Sequence, residues 1–166
     1  MKKLLLGAFI AAMSSGVAMA GGFLICDDIP TQTDLIAGRH IDAGDVVVAS
    51  DGTFLYVTIL TENGWVLTET HVAVGDTQAD IPQNKAGCPQ NGLFPYSSKH
   101  NGATMHVVAI PLNSFNHDGT ITIAVHAVVQ KIEGSRRVTE TAWGQGNSFR
   151  CRNWAMTLEH TIADCF

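Results

Sequence analysis

The chain has 166 residues, 46% of them apolar and only 15% charged, and 15 acidic side chains against 10 basic ones give a formal net charge of −5. That size suits a single domain. An acidic balance with few cations disfavours nucleic acid and anionic membranes as partners.

Residues 1–20 read as a signal peptide: Lys2 and Lys3 form a positive head, Leu4 to Met13 a short apolar stretch, and Ala18-Met19-Ala20 the small-x-small pattern of a cleavage site. The apolar stretch is short for a membrane span and has no charged flank to stop transfer, so no span is expected after cleavage. The expected mature chain, 21–166, keeps eight basic and all 15 acidic residues, a formal charge of −7. Export places it in the periplasm or outside the cell. All four cysteines (Cys26, Cys88, Cys151 and Cys165) lie in that part. An even count in an exported chain reads as two disulfides, with three connectivities open. Pairing Cys26 with Cys165 would tie the termini, and Cys88 with Cys151 would then join two loops. Free or metal-bound cysteines are the weaker reading, because no C-x-x-C spacing occurs.

Gly21 to Asp34 shows no helical period and reads as an entry arm, and Asp34 to Ile41 carries no clear pattern. Asp45 to Ser50 is a valine-rich strand, Asp51-Gly52 a tight turn, and Thr53 to Leu60 a second strand with Leu55, Val57 and Ile59 on one face. Asn63-Gly64 leads into a third, Trp65 to Val74. Both dipeptides suit hairpin turns that need positive φ, so three consecutive antiparallel strands are expected. In the third, residues two apart share a face, which puts Trp65, Leu67, Glu69, His71 and Ala73 together.

From Gly75 to His100 the alternation fails, and Pro82, Gly87, Pro89, Gly92 and Pro95 break regular structure. A loop of roughly 25 residues calls for a purpose or a staple, and Cys88 offers one. Met105 to Leu112 and Ile121 to Gln130 are further strands; the second has Ile121, Ile123, Val125, Ala127 and Val129 on one face and His126 on the other. Gly134 to Arg137 is a turn, Glu140 begins a strand that ends in glycines, and Asn153 to Ile162 closes the chain with Trp154, Met156, Leu158, His160 and Ile162 alternating inward. Six to eight short strands with no helical period predict an all-β fold, an antiparallel β-sandwich of immunoglobulin-like or jelly-roll-like form with one long disulfide-stapled loop.

Several phrases recur together in a wider pattern: Leu35-Ile-Ala-Gly-Arg-His-Ile-Asp-Ala-Gly-Asp, Gly64-Trp-Val-Leu-Thr-Glu-Thr-His, Asp80-Ile-Pro-Gln-Asn-Lys-Ala-Gly, Phe94-Pro-Tyr-Ser-Ser-Lys-His, Ala124-Val-His-Ala-Val-Val, Glu140-Thr-Ala-Trp-Gly and Asn153-Trp-Ala-Met. From about Asp34 to Ile162 the chain resembles a β-rich domain met in exported and surface proteins of bacteria and archaea. The resemblance implies an extracytoplasmic module and carries no activity or catalytic residues with it. Two departures stand out: the domain is almost alone in its chain, and Cys88 and Cys151 occupy positions where other residues are expected. Both suit a free secreted protein.

The residues with chemistry to offer are Glu69, His71, His126 and Glu140, with His100 at the end of the long loop. Imidazoles and carboxylates converging on one patch could hold a divalent metal, with His71, His126 and Glu140 as the set. The same groups could instead form a hydrogen-bonded polar network or a pH-sensitive interface. Trp143, beside Gly144, is the tryptophan best placed to stack on a glycan, whereas Trp65 and Trp154 begin apolar strands. Nucleophile elbows, H-E-x-x-H and phosphate loops are missing. The sequence thus favours a non-enzymatic surface, matrix or envelope component binding a protein, a glycan or copies of itself. The alternative is an extracytoplasmic metal-dependent hydrolase with a His/Glu site.

Overall fold

Alternation of apolar and polar residues with period two makes one face of nearly every strand sticky, and a sheet that curls on itself buries that face without a second layer. The computed structural model describes residues 29–115 and 119–162. The signal peptide, Cys26 and Cys165 lie outside the described residues. Ten antiparallel strands occur in chain order: β1 Thr31–Ala37, β2 Ile41–Ser50, β3 Phe54–Thr61, β4 Val66–Gly75, β5 Tyr96–Ala103, β6 Met105–Pro111, β7 Thr120–Glu133, β8 Arg136–Gly144, β9 Asn147–Ser148 and β10 Met156–Thr161. Among the described residues no helix is long and apolar enough to cross a membrane.

The main sheet runs β5-β4-β7-β8-β1-β2-β3-β6, with β10 beside the first part of β7. It is nearly closed into a barrel. This departs from the expected sandwich: one curled sheet encloses the core, rather than two sheets facing each other. Inside lie Leu35, Val46, Val48, Leu55, Val57, Ile59, Leu67, Val72, Ile110, Ile121, Ile123 and Val129, all fully or almost fully buried. The ends of the strand order, β5 and β6, follow one another in the chain yet share no ladder. They form the seam.

Two further differences follow from closure. Asn63 and Gly64 do take positive φ, at 54° and 82°, but the strands they join are not partners. Strand β3 pairs with β2 and β6, and β4 with β5 and β7. The short link carries Trp65 into the core, 4% exposed, with the Lys131 ammonium 5.8 Å from its ring centre. Residues 31–37, 41–44 and 96–103 also form strands where the sequence showed a featureless arm and the end of a loop. In residues 96–103 the inward positions, Tyr96, Ser98 and His100, are too polar to display an alternation. The Asp51 turn is as expected: its carboxylate accepts hydrogen bonds from the Phe54 and Thr53 N–H groups and the Tyr56 hydroxyl. Those bonds, the one from Phe54 first, hold its pKa below the usual carboxylate value.

The outer face of β4, β7 and β8 is covered as well. Residues 76–95 and 145–155 lie over it, and Ala73, Ile81, Phe94, Ala124, Trp143, Phe149 and Ala155 make a second, smaller core there. Strand β7 is therefore buried on both faces from Ile121 to Ala127. Its sequence says as much, being apolar at nearly every position rather than at every second one.

Candidate functional site

The two-residue period of β4 is interrupted. Leu67 sits opposite Val129 of β7, but Glu69 sits opposite Val128, so Thr68 is an extra residue in the ladder. Its hydroxyl bonds the Val128 carbonyl at 3.1 Å. A one-residue bulge moves everything after it to the other face. Trp65 and Leu67 consequently point into the barrel, while Glu69, His71 and Ala73 point out, beneath the covering loops. The single face expected for these five residues is two faces.

On the outside, strand register lines up Ser97, His71, His126, Trp143 and Ile36 as one row across β5, β4, β7, β8 and β1. The His71 and His126 rings lie 5.3 Å apart, and Trp143 meets His126 edge to face at 4.9 Å. Phe94 and Phe149, one from each covering segment, each meet Trp143 with centroids 6.3 Å away. Asn91 Nδ2 donates to Nδ1 of His126 at 3.2 Å. That assignment places the proton of the neutral imidazole on Nε2.

His126 is 4% exposed. Burial first, and the neighbouring His71 second, lower its pKa to about 4. Nε2 of His71 faces the Glu69 carboxylate at 3.4 Å. Its Nδ1 is buried without a hydrogen-bond partner among the described residues. The Glu69 side chain itself is 37% exposed.

The other sequence-chosen residues fall elsewhere. Glu140 is three positions before Trp143, so the pleat turns it to the opposite face; it sits across from Val129, against Gly38. It does not join His71 and His126, and among the described residues no three His, Cys, Asp or Glu side chains are grouped to hold a metal ion. His100 points inward at the seam, where its Nε2 is 2.8 Å from Thr70 Oγ1 and its ring 4.5 Å from that of His106. Burial lowers the pKa of both, and His100 adds to the effect on His106. Trp143 is 6% exposed, covered by the two phenylalanines, and offers no open face to a glycan. Cys88 and Cys151 are brought together: their sulfurs lie 2.6 Å apart, with no disulfide bond formed between them.

Two kinds of residue were not expected from the sequence. Asn91, Phe94 and Phe149 come from stretches with no periodicity, and nothing local marks them as a roof. His106 carried a usable signal, since it alternates with Val108 and Ile110. His160, already placed inward, is 1% exposed, with Nδ1 2.9 Å from Thr31 Oγ1. What the row amounts to is a pair of adjacent, mutually tilted imidazoles on the outside of a barrel, sealed by an aromatic and amide lid. No protein-family model, curated protein or solved structure matches the chain.

Proposed function

We propose that this is an exported, non-enzymatic component of a surface, matrix or envelope layer, and that it assembles with copies of itself through the outer face of β2, β3 and β6. The observation that carries the reading is where apolar surface is left bare. Register sets Val47, Thr58 and Val107 in one row, Ala49, Tyr56 and Ala109 in the next, and Leu60 beside Met105. Met105 and Val107 are each 44% exposed. The opposite side of the barrel is covered by loops, whereas this side is left open by the described residues. A contiguous apolar face on a soluble chain marks an interaction surface. Two carboxylates border it, and both are engaged within the chain: Asp45 accepts from Gln32 at 3.1 Å and Asp51 from the Tyr56 hydroxyl at 2.8 Å. An aliphatic face repeated on both partners suits a two-fold, self-complementary contact. Burial of Trp65 and Trp143 removes two of the three indole platforms a glycan would use, which favours a protein surface as the occupant.

Sedimentation equilibrium on the mature protein tests this. Wild type should associate as concentration rises, and Val107→Lys should remain monomeric with an unchanged far-ultraviolet spectrum. A wild type that stays monomeric throughout overturns the reading.

One observation favours the metal-dependent hydrolase: the orphaned Nδ1 of His71, buried beside a second imidazole. Elemental analysis of protein purified without chelators or a polyhistidine tag decides it. A stoichiometric divalent ion in wild type that is lost in His71→Ala would establish the site, and none in either would remove it.

A further inference from the structure

The lid over His71 and His126 consists of two separate pieces of chain, and the two sulfurs meet where those pieces touch. Residues 76–95 supply Asn91 to His126 and Phe94 to one side of Trp143; residues 145–155 supply Phe149 to another. Cys88 is three residues before Asn91, and Cys151 two residues after Phe149. The backbones are in contact there as well: a Cβ on Gly87 would stand 3.3 Å from the Arg150 carbonyl oxygen. The Cys88 and Cys151 sulfurs lie 2.6 Å apart, and the Cys151 thiol donates to Asn153 Oδ1 at 2.9 Å. Both are half-buried, within reach of a small reagent. Beside them, lined by Asn84, Lys85, Gly87 and Arg150, is a cleft of about 540 Å³ open to solvent.

We propose that Cys88 and Cys151 form a thiol–disulfide latch that holds the two lid segments together and so controls access to the His71–His126 pair. The oxidant is a low-molecular-weight disulfide. One cysteine thiolate attacks a sulfur of that disulfide, forming a mixed disulfide and expelling a thiolate. The second cysteine thiolate then attacks the protein sulfur and expels the other half. The two thiol protons pass to the two released thiolates, so one disulfide becomes two small thiols as one protein disulfide forms. In the closed lid water is kept from His126, and in the open lid Asn91 and Phe94 can part from Phe149 and the imidazoles are wetted. The latch does not depend on assembly through the β2, β3 and β6 face.

The test uses the mature chain with Cys26→Ser and Cys165→Ser, so that only one pair can react. It is equilibrated with glutathione disulfide or with a phosphine reductant, then labelled with diethylpyrocarbonate. Peptide mapping should show Cys88 joined to Cys151 after oxidation, and His126 should be modified on the order of tenfold more slowly in the oxidised form, because labelling now waits for a rarer opening. The exposed His40 serves as the control and should react equally in both. Cys88→Ser should label at the faster rate under either condition; should it fail to fold, the comparison of the two redox forms of the parent chain still decides. Two free thiols after oxidation, or equal His126 rates with the disulfide formed, overturn the proposal.

Discussion

Lowering the pH should unfold this protein partly through one side chain. His126 is neutral in the folded state down to about pH 4, whereas in the unfolded chain it takes up a proton near pH 6.5. Between those values the unfolded state binds more protons, so stability falls as pH falls. The loss begins near pH 6.5, grows through pH 5 and is complete below pH 4. At about 1.4 kcal/mol per pKa unit, the shift amounts to about 3 kcal/mol. That is a large share of the 5 to 15 kcal/mol that holds a typical domain together. Carboxylates also titrate in this range, so the informative quantity is a difference. Wild type and His126→Gln are unfolded in urea at several pH values from 7 to 4, followed by tryptophan fluorescence. The variant carries its own fixed cost from the altered lid, but it lacks the titration. Wild type should lose about 3 kcal/mol more than the variant over that interval. Parallel curves, or an NMR titration of His126 with a midpoint above pH 6, would refute the argument that lid and neighbouring imidazole keep this group neutral.

Two substitutions check the strand geometry. Gly44 lies inside β2 at φ +150°, and a Cβ there would come 2.0 Å from the Leu60 carbonyl oxygen. Gly44→Ala should therefore cost about 3 kcal/mol or more in thermal unfolding; an unchanged melting temperature would mean β2 and β3 are not apposed as described. Glu69→Ala should cost less than about 1 kcal/mol, because the pair it breaks is partly solvated. If chemical denaturation shows a loss of several kcal/mol, Glu69 is more deeply engaged with His71 than its 37% exposure implies.

What the residues alone determined was local. Alternation in Phe54–Thr61 and Met105–Pro111 announces strands, because a pleated backbone sends neighbours to opposite sides whatever the partner. The same rule correctly set Glu69 beside His71 and His126 away from Val125. Asn63 and Gly64 announced a turn with positive φ and delivered one. Tertiary structure decided which strands meet. The chain after Gly64 crosses to another part of the sheet because the barrel must close around Leu67 and Trp65, a requirement that no four-residue window contains. The bulge at Thr68 is equally non-local: it is defined only by the ladders to β5 and β7, and it parts Leu67 from Glu69. Glu140 was misplaced because its face follows from counting back from Trp143 in a strand whose burial depends on β1 and β7. The lid was unreadable, since Asn91, Phe94 and Phe149 owe their positions to what they cover and to the meeting of Cys88 with Cys151. Period two records which way a side chain points, and only the closed core records what it points at.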